Sequence, residues 1–534
     1  MTGPSLSTAC TPSTFTNLTL FGGEVLSISA SLITNYTGVA PEILRLSAPT
    51  TVLNGADFCN VTVAYTHPGQ NDHITVETWL PIDNPEWNGR LLAVGGGGWS
   101  AGRFDFSYGA MAGGLADGFV TTTTDGGVST GQDPTVWALN SPGNVNFLDL
   151  HNFASVSLRD QAIIAKSVTA SFYSRPPSYS YWTGCSQGGR QGMMLAQRYP
   201  DAYDGIVAGA PALWLTLVAA SLYWPQQVMK DLQAWPYGCE LAALQDAAIA
   251  ACDGLDGFDD GVIAADADEC LAVFDPFALV GTAVEKCPQA GNRTVEISHA
   301  AAMVANETWH GPVSARGKRI WHGLLPGADI GKETDTGLGS QGVAAVNCSS
   351  GTCVGSPHPL TPPYFSHFLA LGDPSFDLAT MTRDEFDWLV HLGHQILGSA
   401  LDTNDPDLTR FRDAGGKLIT WHGLWDELIP SKATREYYNE VKSEVPDIDG
   451  FFRHFEIPGL AHCYGRSSGP PTGLLAQLVE WVENGTAPAQ SSVKLTVPDG
   501  SVHERIICPY PQKAVLGQGG RCEDPAKESC WSCA

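Results

Sequence analysis

Short apolar runs bounded by turn residues alternate with segments of helical period along most of this chain. Residues 74–81 switch between apolar and polar side chains, the period of a half-buried strand, before Asp83, Asn84 and Pro85 turn the chain. Residues 91–94 and 119–124 read as buried strands; the first runs into four glycines, 95–98, and the second into Asp125, Gly126 and Gly127. Over 158–172, Ile163, Ile164, Val168 and Phe172 recur near helical spacing ahead of Pro176 and Pro177. Residues 181–183 favour a strand, 190–197 a helix stopped by Tyr199 and Pro200, and 205–211 another buried strand. Strand, helix, strand in this order predicts an α/β, doubly wound sheet. The pattern resumes at 417–421, followed by a helix over 431–441 with Ser431 as its expected N-cap, a strand over 451–457, and a closing helix marked by Leu474, Leu475, Leu478 and Val482.

Two stretches break this rhythm. Residues 1–65 are rich in Ser, Thr and Asn and predict an extended, strand-bearing segment pinned by Cys10 and Cys59. Residues 212–406 carry cysteines, an Asp/Gly-rich run at 252–262 and irregular pieces around 337–363, with few strand signals. They read as a lid inserted into a catalytic domain made of 1–211 and 407–534.

Composition narrows the partners. A net charge of −27 argues against nucleic acid or an anionic membrane, and no run of about twenty apolar residues predicts a membrane span. The start, 1–5, lacks the basic and apolar parts of a secretory signal, so Met1 is read as replacing a removed leader. The 14 cysteines are an even count without paired metal-type spacing; only Cys530 and Cys533 form a CxxC. They predict a disulfide framework. Seven sequons, at Asn17, Asn35, Asn60, Asn292, Asn306, Asn347 and Asn484, agree with a secreted, extracellular glycoprotein.

Gly184-x-Ser186-x-Gly188, between a strand and a helix, fits a nucleophile elbow, against the blander reading of a Gly-rich turn with a surface serine. Such a serine needs a base and an orienting acid, in the order Ser, Asp, His. Asp426 and His462 follow successive late strands in that order. Glu427 is the rival acid, with its side chain expected to point elsewhere, and His422, which precedes the acid, is placed near the pocket. The 95–98 glycine loop and the N–H of Gln187 are candidate oxyanion donors; a phosphate cradle is disfavoured because no Lys-Ser/Thr follows. In 252–262, Asp253, Asp256 and Asp260 could supply carboxylates, with the carbonyls of Phe258 and Val262 between them, to a hard cation. An acidic, solvated turn is an equal reading of that pattern.

Cys185-Ser186, Asp426 and His462-Cys463 resemble the CS-D-HC arrangement of the tannase and feruloyl esterase family. Residues 183–190, 199–206, 87–91 and the Cys252-Asp253-x-x-Asp256-Gly257 loop resemble it too. The resemblance implies an α/β-hydrolase domain with a large lid, a structural calcium at Asp253, Asp256, Phe258, Asp260 and Val262, and hydrolysis of plant phenolic acid esters, free or attached to polysaccharide. Many members resemble G-N-G-G where this chain has four glycines, which leaves the oxyanion donor open between Gly97 and Gly98. Feruloyl esterase is the first expectation, with Ile429 beside the acid as an apolar pocket wall. Tannase is second, and a non-catalytic carbohydrate-binding protein on the same scaffold is the remote alternative. Because Cys185 and Cys463 adjoin residues whose side chains must meet, they are expected to be bridged. Cys252, Cys270, Cys508 and Cys530 are expected among the bridged cysteines, with the partners of Cys239, Cys287, Cys348, Cys353, Cys522 and Cys533 open.

Overall fold

A computed structural model describes residues 6–332, 341–349, 351–517, 522 and 524–534. The leader reading at 1–5 and part of the 337–363 stretch lie outside the described residues. Nine strands form one sheet: β1 (Glu24–Ala40), β2 (Thr51–Thr66), β3 (Ile74–Asp83), β4 (Arg90–Val94), β5 (Val120–Thr124), β6 (Tyr179–Cys185), β7 (Gly205–Gly209), β8 (Lys417–Gly423) and β9 (Phe452–Ile457). Their spatial order is β1-β2-β3-β5-β4-β6-β7-β8-β9. The first three strands pair antiparallel, and β3 joins β5 antiparallel. From β5 onward every pairing is parallel. The Ser- and Thr-rich N-terminal segment thus becomes a hairpin extending the main sheet, tied by the Cys10–Cys59 bridge.

Alternation sorts the apolar strand residues between two cores. Leu91, Ala93, Trp182, Ile206, Ala208 and Leu418 face one; Leu92, Val94, Tyr181, Val207, Ile419 and Trp421 face the other. Side chains on a strand point alternately to its two faces, so runs apolar at every position are what a sheet covered on both sides requires. Helices α1 (Asp105–Ala116), α2 (Ser157–Tyr173) and α3 (Gln187–Arg198) follow β4, β5 and β6. In α2, Leu158, Ala162, Ala165, Val168 and Phe172 form the buried stripe that packs on the sheet.

Between β7 and β8 the chain leaves the sheet for the insertion, whose described residues are mainly helical: α4 (Leu215–Ser221), α5 (Trp224–Leu232), α6 (Gly238–Cys252), α7 (His299–His310) and α8 (Arg383–Leu401), with two short two-stranded hairpins among them. Its core is separate, and it reaches Trp99, Trp137, Phe153, Leu428 and Ile429 of the sheet domain's loops. The insertion therefore sits over the carboxyl ends of the parallel strands. Helices α9 (Ser431–Glu444) and α10 (Leu474–Asn484) complete the layers.

Two boundaries differ from the sequence reading. Ser431 is the first helical residue rather than the N-cap: Pro430, with its fixed φ, precedes the helix and no side chain caps it. Helix α3 starts at Gln187, three residues earlier than expected, because Gly188 and Gly189 are held helical by packing rather than by propensity.

Candidate active site

Ser186 joins β6 to α3 with φ 60° and ψ −120°, a conformation that non-glycine residues rarely adopt. Its N–H donates to the Gly209 carbonyl at 3.0 Å and its carbonyl accepts from the Arg190 N–H at 2.9 Å. The flanking glycines are demanded by space. A Cβ at Gly184 would lie 2.6 Å from the Gly188 carbonyl carbon, one at Gly188 would lie 2.9 Å from the Gly96 oxygen, and one at Gly189 would lie 2.2 Å from the Gly209 oxygen. The turn is sharp because two backbones pass through the space that side chains would fill.

Asp426 and His462 lie in the loops after β8 and β9. His462 Nδ1 is 2.8 Å from Asp426 Oδ2. The other oxygen, Oδ1, accepts the N–H groups of Leu428 and Ile429, each at 2.8 Å. Burial would raise the Asp426 pKa, but the His462 and His422 rings and their hydrogen bonds outweigh it and hold the carboxyl well below its usual range. Burial would likewise lower the His462 pKa; the Asp426 charge and hydrogen bond, helped by Glu427, push it above 6.5. The pair is thus an ionised carboxylate against an imidazole with increased basicity.

His422 requires a correction. It borders neither of the chambers described below; it is fully buried behind the acid. Its Nε2 lies 3.1 Å from both Asp426 Oδ2 and the Ile429 carbonyl, so the proton sits on Nε2, and Nδ1 is 2.8 Å from Thr434 Oγ1. Alternation along β8 turns residue 422 away from Trp421 and under α9, where Thr434 meets it. Glu427 Oε2 accepts the backbone N–H of His462 at 3.0 Å, and burial, followed by the Asp426 charge, pushes its pKa up to about 6. It holds the histidine backbone rather than the ring, a role the sequence did not suggest.

The glycine loop separates the two candidate donors by their hydrogen bonding. The Gly97 N–H is bound to the Ser100 carbonyl at 3.1 Å, which closes a turn, and so Gly97 is corrected out of the donor set. The Gly98 N–H has no partner among the described residues, and Gly98 combines φ +55° with a Cβ position 2.0 Å from Gln132 Oε1. Gln187, first in α3, has an N–H that no helical carbonyl can reach. Gln191, also unnoticed in the sequence, fastens the glycine loop to α3: its Oε1 accepts from Gly96 N at 2.8 Å and its Nε2 donates to the Ala101 carbonyl at 2.9 Å.

Two chambers meet at Ser186, Gly98, Leu360, Leu428 and His462. The smaller, about 40 Å³, is walled by Leu215, Val218, Ala219 and Leu222 of the insertion together with Ile429 and Trp99. The larger, about 500 Å³, adds Phe104, Phe106, Asp105, Gln132, His358 and Tyr464. Burial, with the nearby His462 charge, lowers the His358 pKa to about 4, so that ring is neutral at ordinary pH.

Cys185 and Cys463 are bridged, with Cα atoms 6.1 Å apart, across 278 residues. Replacing both by alanine is expected to cost more activity than fold, because the bridge sets the distance between elbow and histidine loop. Kinetics beside a thermal melt check this; a large fall in melting temperature with undiminished turnover would refute it. Cys252 pairs with Cys270, Cys239 with Cys287 and Cys348 with Cys353. Cys508 and Cys530 are both bridged, as expected, each to a partner that the sequence left open: Cys508 binds Cys533, and Cys522 binds Cys530. Cys508 follows a strand, Val502–Ile507, that packs on the terminal strand Trp531–Cys533, and this brings Cys533 alongside it.

The 252–262 loop offers only hard oxygen donors. Asp253 Oδ1 accepts from Val262 N at 3.0 Å and its Oδ2 from Gly261 N at 2.8 Å, while Asp256 Oδ1 accepts from Phe258 N at 3.0 Å. Asp260 is ion-paired with Arg505, and burial first, then the charges of Asp253 and Asp256 against that of Arg505, leaves its pKa near 6. No three acidic, histidine or cysteine side chains among the described residues converge as a metal cluster. The carbonyls of Phe258 and Val262, which accept no hydrogen bond among those residues, would have to complete one. The oxygen-only donor chemistry and the crowding of three carboxylates in one tight loop fit a calcium ion.

A sequence model described as "Tannase and feruloyl esterase" matches residues 59–531. The chain is 38% identical over 500 residues to a "Probable feruloyl esterase" of Arthroderma benhamiae, covering 92% of this chain and 88% of that protein. It is 29% identical over 498 residues to a "Tannase" of Aspergillus oryzae, covering 86% and 83%. Among solved structures, a tannin acyl hydrolase from Aspergillus niger superposes with a TM-score of 0.82 at 27% identity, covering 99% of this chain and 94% of that one.

Proposed function

The chain belongs to the tannase and feruloyl esterase family, and on that premise we propose that this carboxylic ester hydrolase cleaves phenolic acid esters through an acyl-enzyme on Ser186. The observation that carries the reading is the Asp426–His462 hydrogen bond placed where Ser186 and His462 border the same two chambers. His462 takes the proton as Ser186 Oγ attacks the ester carbonyl, and Asp426 stabilises the imidazolium. The N–H groups of Gln187 and Gly98 receive the oxyanion. Collapse expels the alcohol, which takes the proton from His462; water, activated by the same ring, then releases the acid. His422 fixes the acid from behind.

Feruloyl esters are the first substrate class, because the smaller chamber is apolar where a methoxy-bearing ring needs an apolar wall, Ile429 included. Gallate esters are the second, favoured by the polar Gln132, Asp105, His358 and Tyr464 of the larger chamber. Methyl ferulate and methyl gallate, assayed side by side by spectrophotometry, decide: we expect the higher kcat/KM on ferulate, and a gallate preference would transfer the reading to tannase.

Secretion is part of the same proposal, supported by seven disulfides. No helix among the described residues is long and apolar enough to cross a membrane. Of the sequons, Asn17, Asn35, Asn292, Asn347 and Asn484 are exposed and Asn306 is half-buried. Asn60 is a poor acceptor, since its Nδ2 is committed to Glu77 Oε1 at 3.0 Å.

Calcium is proposed as a structural ion held by the carboxylates of Asp253, Asp256 and Asp260 and the carbonyls of Phe258 and Val262. It would supply charge neutralisation where carboxylates crowd. Chelation is expected to lower the melting temperature by several degrees, restored by added calcium, without moving KM. Purified protein free of calcium by elemental analysis, with a melting temperature indifferent to the ion, would remove the site.

A further inference from the structure

Arg190 is fully buried, yet no carboxylate among the described residues pairs with it. Its Nε donates to Gln187 Oε1 at 2.7 Å. Nη1 and Nη2 each donate to the Ala154 carbonyl at 3.1 Å; Nη2 also reaches the Phe153 carbonyl at 3.4 Å, and Nη1 the Leu401 carbonyl at 3.4 Å and Thr403 Oγ1 at 3.3 Å. The Phe153 ring lies 5.6 Å from the guanidinium carbon. Every partner is neutral. The acid whose charge supports it, Asp402, is spent on Thr216 and His394. Burial, with the Arg198 charge, lowers the Arg190 pKa to about 9, so the group remains a cation at neutral pH.

A buried charge without a counter-charge is costly, and its retention calls for a role that offsets the cost. Arg190 is one helical turn from Ser186 and binds the side chain of Gln187, the residue whose N–H faces the nascent oxyanion. It also joins three separate segments: the short helix Asn152–Val156, the elbow helix, and the 401–403 return from the insertion. Its bond to Oε1 fixes the orientation of the Gln187 carboxamide, whose Nε2 is buried without a partner and whose residue lines the smaller chamber.

We propose that Arg190 is the positioning residue of the oxyanion pocket: it locks Gln187 in place and supplies the fixed positive charge whose missing counter-ion is the tetrahedral oxyanion. Preorganised charge of this kind lowers the barrier because nothing must reorient as the oxyanion forms. The substrate, neutral at the reacting carbonyl, gains little from it, so its effect falls on kcat rather than KM.

The inference rests on the esterase reading of Ser186, and the wild type with Ser186→Ala tests that separately. If the wild type cleaves no ester, or Ser186→Ala cleaves as well, the site reading fails. With those controls in order, Arg190→Met is expected to lose about 100-fold or more in kcat on methyl ferulate with KM within about threefold, and Arg190→Lys to recover part of the loss. Phenylboronic acid, whose adduct with the serine carries a negative charge, should inhibit Arg190→Met about 100-fold less well, while neutral ferulamide binds within about threefold of wild type. Equal losses on both inhibitors would mean a purely structural arginine, and wild-type kcat would likewise overturn the proposal. Should Arg190→Met not fold, Gln187→Leu breaks the clamp but keeps the charge: a kcat loss of about tenfold at constant KM is expected, and a KM-only effect would refute it.

Discussion

Ser186→Ala is expected to give a folded protein whose ester hydrolysis has fallen by about five orders of magnitude. The elbow makes this a clean test. The strained backbone at residue 186 is held by the Gly209 carbonyl, by Arg190 N–H and by the close approach of Gly188 to Gly96, none of which involves the serine hydroxyl. Alanine tolerates the same φ no worse than serine, so the thermal melt should move little. What disappears is the atom that must become covalently bound, and residual catalysis by the remaining groups cannot replace it. Mass spectrometry should detect an acyl adduct during turnover by the wild type and none on the variant. Undiminished hydrolysis by Ser186→Ala would require another nucleophile.

Asp426→Asn is expected to lower kcat by about 10⁴-fold. The Asp426 carboxylate receives four donors: two backbone N–H groups on Oδ1, and His462 and His422 on Oδ2. An amide can keep the first two. It then presents NH₂ to two rings that need an acceptor, which forces the wrong tautomer on His462 and strands His422. Glu427→Gln should stay within about tenfold of wild type, because the amide oxygen can still accept the His462 backbone N–H. The pH profile supplies the sign. His462 must be neutral to accept a proton, and Asp426 raises its pKa above 6.5. In the wild type, kcat/KM should therefore fall as pH drops through a midpoint above 6.5; in Asp426→Asn the residual activity should have its acid limb at lower pH. An unmoved limb would assign the titration to another group.

Ser186, Asp426 and His462 could be proposed from the sequence because each lies in the turn or loop that follows a strand recognisable by its apolar run, and loops at the carboxyl ends of parallel strands converge. Gly98 could not be separated from Gly97, since that depended on whether Ser100 turned back on the loop. His422 was misplaced because its surroundings come from elsewhere in the fold: Thr434 of α9 and the Asp426 carboxylate hold it behind the acid. The terminal cysteines could not be paired because pairing is fixed by which strand the arm lies against, not by spacing. Arg190 was least visible of all. A charged residue in a helical segment reads as solvent-facing, and only the packing of three distant segments puts it inside. The lining of the smaller chamber by α4 was equally hidden, because contacts between an insertion and its host leave no local pattern.

The Cys185–Cys463 bridge joins the residue before the elbow serine to the residue after the histidine. Everything between them, the insertion included, is consequently a closed covalent ring with the sheet domain's two flanks as its tails. A protease that cuts an exposed loop of the insertion opens the ring but separates nothing: the nicked enzyme runs as one chain until a reductant is added. An enzyme exposed to foreign proteases could thus be clipped in an exposed loop of the insertion while its serine and histidine loops stay joined.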